Sequence, residues 1–356
     1  MERKYVILLM LTIMILGIIT IYSASYVYAY RSNSKVSTDS FINKHLLYLV
    51  VGILLMIIFS VVNYNFYKNL LRAFYILLFA LLIFTKVYGV FMGYSAARWI
   101  KIGEFSFQIT EFVKIFIIYY IADYIASNRL KISRFYIGMV RPIAYISPLL
   151  LAVFIEPDLG TTIIIFFVTV TMLFIAGAKK RHILYVSIGL LLVVIVVSAT
   201  FFPYQWERFF HSHTNEQVIN GETGIGSGGI IGKGIGKGAE KYVMTQSFTD
   251  FIFVTFGEEF GMIGLILILL CYWALFYYIL INVRFIMDEF GRFYMIGFAL
   301  YLFLQVLINI SGVLAITPMK GLTVPLLSYG GSSTIATLIG FGIALNIIKN
   351  TARLPQ

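Results

Sequence analysis

Ionisable residues are scarce in this chain, and their spacing suggests where chemistry is possible. Glu111 and Lys114 stand three apart in an apolar run, so on a helix they share a face. A charge in such a run is costly and turns toward a cavity or a partner. Either the two form an ion pair holding helices together, or Lys114 offers a cation to a phosphate while Glu111 orients it. Glu156 and Asp158 flank Pro157 in a short connection. Asp158 is placed to cap the next helix over Thr161 and Thr162. Glu156 has no such duty and is a candidate to line a cavity. Asp250 is the sharpest case, standing where a polar stretch meets the run opening Phe251-Ile252-Phe253. It is either an N-cap or a carboxylate of raised pKa suited to general base catalysis, with Thr249 as the alternative cap. Glu258 lies about 12 Å deeper along an ideal helix, too far for the same proton and suited to a supporting network.

Cations for an anionic partner are Arg98, beside Trp99, and Lys233 and Lys237 in the glycine-rich stretch from Gly224 to Gly238. Glycines let backbone N–H groups approach an anion, so this stretch is either a flexible loop or a cationic surface near phosphates. Two nucleotide-like patterns in it fail. Gly224, Gly226 and Gly229 match a dinucleotide fingerprint without the strand that must precede it. Gly232-Lys233 and Gly236-Lys237 lack both the earlier glycine of a P-loop and the hydroxyl that follows its lysine. His211, His213 and Glu216 make a weak metal set, and no metal ligand is assigned. Ser328 and Ser332 flank Tyr329-Gly330-Gly331 and are further candidate contacts.

The elements that must position these groups are membrane helices. The chain is 60% hydrophobic and 12% charged, with a mean hydropathy of +0.91. Apolar runs long enough to cross a bilayer core recur along it. Ten spans are predicted, at roughly 5–26, 45–63, 69–88, 110–126, 142–155, 160–178, 182–202, 252–281, 293–316 and 327–348. The expected fold is an all-α polytopic membrane protein, one domain over 1–356, with a long outer loop at 203–251 between spans seven and eight. No cleavable signal peptide is read at the start, and the one cysteine, Cys271, lies within a span, so no internal disulfide is possible. The net charge of +11 reflects cytoplasmic loops and lipid headgroups rather than nucleic acid. Short basic connections such as Lys179-Lys180-Arg181 place both termini in the cytoplasm, and the polar motifs then gather at the outer face.

These segments together resemble the SEDS family of bacterial cell-wall proteins, the FtsW/RodA/SpoVE group. The resemblance covers nearly the whole chain. It is carried by Tyr22-Ser23-Ala24-Ser25, Ala97-Arg98-Trp99-Ile100, Gln108 to Lys114, and Glu156 to Thr162. Further on it rests on Ile225 to Gly229, Thr249 to Phe253, Gly257-Glu258-Glu259, and Pro318 to Ser333. The wording is closer to FtsW and SpoVE than to RodA. Ile109-Thr110 replaces the usual Pro-Ser, and Ala315 stands where Gly, Thr or Arg is common; neither change removes an ionisable group. The resemblance implies a peptidoglycan glycosyltransferase in the bacterial cytoplasmic membrane. It would polymerise lipid II, a disaccharide-pentapeptide on undecaprenyl pyrophosphate, into β-1,4 glycan by one inverting displacement, with Asp250 as the catalytic aspartate. It also implies a class B penicillin-binding transpeptidase as partner. No cofactor is assigned, and assistance by a divalent cation (Mg or Mn) is left open. A lipid II flippase and a non-catalytic division scaffold are the competing expectations.

Overall fold

The computed structural model describes residues 3–31, 38–92, 98–103, 105–156, 158–201, 216–244, 247–318 and 321–351. Ten long helices among them follow the ten apolar runs. They are α1 (Arg3–Arg31), α2 (Thr38–Val61), α4 (Leu71–Phe91), α5 (Ile109–Asn128), α6 (Arg141–Ile155), α7 (Leu159–Ile175), α8 (Lys180–Phe201), α10 (Ile252–Val283), α11 (Glu289–Val313) and α12 (Gly331–Thr351). Seven described helices meet the length and hydropathy needed to cross a membrane, and α7 is a shorter apolar helix. The chain is an all-α integral membrane protein. The short α3 (Tyr64–Lys68) and α9 (Glu216–Gly228) complete the α-helices among the described residues.

α12 is the central helix, buried along nearly its whole length. Its sequence, rich in Gly, Ala, Ser and Thr, lets neighbouring backbones come close, as helix packing in lipid requires. α2 packs along it, and α5, α7 and α11 form the adjoining core, while α1 packs on α10. Side chains turned away from this core stay apolar, for example Leu54 and Ile58 on α2 and Leu267 and Trp273 on α10. That pattern suits lipid as the surrounding solvent.

Three local features depart from the sequence reading. The loop before α5 contains an antiparallel hairpin, β1 (Ile100–Ile102) and β2 (Phe105–Phe107), with Ile100 opposite Phe107. The glycine-rich stretch is helical through Gly228. Gly221, Gly224 and Gly228 recur at three- and four-residue spacing on one face of α9 and meet α10. That close packing outweighs the poor helix propensity of glycine, about 1 kcal/mol per residue. The last helix begins at Gly331, not near 327, because residues 321–330 form an irregular segment that packs on the chain before α10. Within it Tyr329 N–H donates to the Phe248 carbonyl at 2.9 Å.

α10 is broken at Gly261, whose backbone (φ 68, ψ −170) is closed to residues with a side chain. The segment after α9 enters the break. Lys233 and Gly234 N–H donate to the Glu258 and Glu259 carbonyls at 3.0 Å each, and Met262 and Ile263 N–H donate to Gly229 and Ile230 at 2.9 and 3.1 Å. The groups freed by the kink are thus satisfied inside the protein.

Candidate active site

A cleft of about 360 Å³ opens at the end of the bundle where α5, α10 and α12 begin. Of the candidate site residues named from the sequence, Asp250, Glu111 and Arg98 line it, together with the alternative cap Thr249. Asp250 is half-buried in the turn before α10. The N-cap position of that helix is Phe251, so neither Asp250 nor Thr249 occupies it. The Asp250 carboxylate instead lies against the irregular segment. Gly321 adopts φ 66, and a Cβ there would stand 3.3 Å from Asp250 Oδ2. Glycine is required at that point both for its backbone angle and for the approach of the carboxylate.

Glu111 is 4% exposed and Lys114 1% exposed. Lys114 Nζ donates to Glu111 Oε1 at 2.8 Å and to Gln305 Oε1 at 3.3 Å, and it lies 5.2 Å over the Tyr301 ring. Glu111 Oε2 is buried without a hydrogen-bond partner among the described residues. The ion pair therefore exists, and it is Glu111 that reaches the cleft while Lys114 stands behind it. This reverses the expected order of the two, because the shorter side chain is nearer the helix start and Lys114 is folded back to meet it.

Glu156 is buried, and neither carboxyl oxygen has a hydrogen-bond partner among the described residues. Burial, reinforced by Asp158, pushes its pKa up to about 8 against the pull of Arg98 and Lys86, so it holds its proton at neutral pH. It does not line the cleft. Its main-chain carbonyl accepts from Arg98 Nε at 2.9 Å, which anchors that guanidinium at the cleft wall. Asp158 caps α7 by accepting from Thr161 N–H at 3.1 Å.

The remaining sequence candidates stand away from the cleft. Glu258 is fully buried and accepts from Lys233 Nζ at 2.6 Å and from the Ala239 and Glu240 N–H groups at 2.7 and 3.0 Å. It ties the segment after α9 to α10 and uses Lys233 for that purpose. Lys237 is exposed on the same segment. Ser328 Oγ accepts from Val324 N–H at 2.9 Å and Ser332 Oγ from Gln108 N–H at 2.8 Å, so both shape the backbone around the cleft. His211 and His213 lie outside the described residues. No group of three or more ligating side chains among the described residues is placed to hold a metal.

A second cavity, open and wholly apolar, of about 340 Å³, runs between α2, α4, α5 and α12 and is lined among others by Phe59, Leu77, Phe112 and Ile339. Ile109 at its end directly follows Gln108 in the cleft, so groove and cleft share the start of α5.

A model of the FtsW, RodA and SpoVE family, described as cell cycle proteins, matches residues 3–353. The chain belongs to this family. Among FtsW/RodA/SpoVE relatives, stage V sporulation protein E of Bacillus subtilis (strain 168) is 33% identical over 363 residues, covering 96% of this chain and 94% of that protein. A probable peptidoglycan glycosyltransferase FtsW of Wigglesworthia glossinidia brevipalpis is 31% identical, covering 99% and 96%. The crystal structure of the rod shape determining protein RodA of Thermus thermophilus matches with a TM-score of 0.72 at 25% identity, covering 98% and 97%. A chain from a structure titled for the coordination of polymerization and crosslinking by a peptidoglycan synthase complex matches at 0.77 and 24% identity, covering 98% of each chain, and supports the fold.

Three cleft residues of this FtsW/RodA/SpoVE chain escaped the sequence reading, Tyr48, Ser106 and Gln217, while Gln108 and Thr323 were read only as parts of the family motifs. Tyr48 and Gln217 carry no local pattern. Behind the cleft, Gln305 and Asn309 were legible in principle as two amides four apart within an apolar helix.

Proposed function

We propose that this chain is a peptidoglycan glycosyltransferase that polymerises lipid II at the outer face of the bacterial cytoplasmic membrane. Its relatives carry that activity in their names. The observation that supports it best is one cleft carrying Asp250, Glu111 and Arg98 that shares the start of α5 with an apolar groove. The substrate is amphipathic in the same sense, with a sugar and pyrophosphate head on a polyprenyl tail. The tail lies in the groove and the head in the cleft. Asp250 takes the proton from the acceptor 4-hydroxyl as its oxygen bonds to the anomeric carbon. The bond from that carbon to the pyrophosphate breaks, and undecaprenyl pyrophosphate leaves, inverting an α-linked donor to a β link. Arg98, not Lys114, is the cleft cation for the pyrophosphate. Glu111, steadied by Lys114, holds a sugar hydroxyl of the acceptor.

Two carboxylates are what the cleft offers a divalent cation. Asp250 and Glu111 are the residues that would hold such an ion, which would supply positive charge to the leaving pyrophosphate and would need substrate oxygens to complete its shell. The basic connections Arg129–Lys131 and Lys179–Arg181 lie at the ends of α5 and α7 away from the cleft. That arrangement supports a cleft facing outward and termini in the cytoplasm. A class B penicillin-binding transpeptidase is the partner that would cross-link the product.

The test is polymerisation of labelled lipid II by purified protein in liposomes. Asp250→Asn, with nearly unchanged shape, is expected to lower the rate by roughly 10³-fold; full polymer yield from that variant overturns the assignment. Movement of lipid II between leaflets without polymer in the wild type would instead favour transport.

A further inference from the structure

Gln305 and Asn309 stand one turn apart on α11 and are 0% and 2% exposed. An amide buried among apolar side chains is costly unless its hydrogen bonds are made. Asn309 Nδ2 donates to the Asp250 carbonyl at 2.8 Å and to the Leu322 carbonyl at 2.6 Å, one for each of its two hydrogens. Gln305 Nε2 donates to the Thr323 carbonyl at 2.8 Å. Its Oε1 accepts from Lys114 at 3.3 Å, and Lys114 holds Glu111 at 2.8 Å. Neither amide lines the cleft, yet Asp250, Leu322, Thr323 and Glu111 all do.

We infer that Gln305 and Asn309 are positioning residues that set the separation of the Asp250 and Glu111 carboxylates across the cleft. The inference rests on the reading of those carboxylates given above. Asp250 lies in a turn, and Leu322 and Thr323 lie in an irregular segment. Neither stretch has a helical ladder of its own at these positions. α11 does, and its two amides transmit its rigidity to both walls. Displacement of a reacting group by about 1 Å is enough to cost roughly 100-fold in rate.

The experiment is steady-state polymerisation of lipid II in liposomes by the full-length chain carrying Asn309→Leu, Asn309→Gln or Gln305→Met, with Asp250→Asn in parallel. Leucine keeps the shape of asparagine and removes both donors, whereas glutamine keeps both on a longer arm. Asn309→Leu is expected to lower kcat about 100-fold with KM within about threefold of wild type, and Asn309→Gln to recover at least tenfold of that loss. Gln305→Met asks the same question from the next turn and leaves the Asp250 contacts intact; it stands in if Asn309→Leu fails to fold, with a kcat loss expected at unchanged KM. Wild-type kcat in folded Asn309→Leu or in Gln305→Met overturns the inference, as does an equal loss in the leucine and glutamine variants. Wild-type rate in Asp250→Asn overturns the underlying site, whichever way Asn309 behaves, so the two failures are separable.

Discussion

At the scale of single residues, the polar groups of this protein divide by what satisfies them. Lys114 and Glu111 are a buried pair, and such a pair is far more sensitive to losing one member than to losing both. Lys114→Met leaves the Glu111 carboxylate without its cation and is expected to cost about 3–5 kcal/mol, read as a lowered unfolding temperature in detergent. The double variant Glu111→Gln with Lys114→Met is expected to regain most of that stability while remaining inactive, because the cleft carboxylate is gone. Glu156 behaves differently. Its pKa near 8, against an ordinary 4.5, means that the folded protein binds this proton more tightly than the unfolded chain does. Stability therefore declines as pH rises from about 4.5 to 8 on this account and levels above that. Glu156→Gln is expected to flatten that decline, so that at pH 9 its unfolding temperature exceeds that of wild type. An unchanged slope between the two proteins would show that the carboxyl is hydrated.

At the scale of elements, irregular backbone is placed where it lines the cleft or where neighbouring backbone satisfies it. The C-terminus of α11 shows how closely such ends are specified. Ala315 N–H donates to the Gly312 carbonyl at 3.3 Å and Ile316 N–H to the Ser311 carbonyl at 2.9 Å. With Ala315 at φ 55, this is a Schellman cap in which alanine occupies the position glycine prefers. The sequence had marked Ala315 as a departure from the family pattern, and the structure gives that departure an energetic meaning. Ala315→Gly removes the left-handed penalty and is expected to stabilise the protein by about 1 kcal/mol, again read from thermal unfolding. The break in α10 is the complementary case. There glycine is present, and the segment from Gly228 to Gly234 supplies the hydrogen bonds that the helix gives up.

At the scale of the whole molecule, helices around a nearly fully buried α12 hold the cleft at one end and the basic connections at the other. The proposed orientation is testable on intact cells with a membrane-impermeant maleimide. Cys271 is only partly exposed and lies within α10, so it is expected to stay silent. Gly236→Cys is expected to label from outside and Lys180→Cys only after permeabilisation; the reverse pattern would invert the protein and place the cleft in the cytoplasm.

The sequence alone determined the membrane class, the ten apolar runs and the candidates Asp250, Glu111 and Arg98. Those follow from hydropathy over some twenty residues at a time and from the cost of a charge in an apolar run, both local properties. The start of α10 was legible to within about two residues, because the polarity changes sharply between Asp250 and Phe251. Only the tertiary structure decided which charged groups meet. It put Lys233 on Glu258 and away from the cleft, turned Glu111 toward the cleft in front of Lys114, made part of the glycine stretch helical, and brought Gln305 and Asn309 behind both cleft walls. Each outcome depends on pairing between segments distant in the chain, where the demand that every buried donor and acceptor be satisfied selects partners that no local pattern encodes.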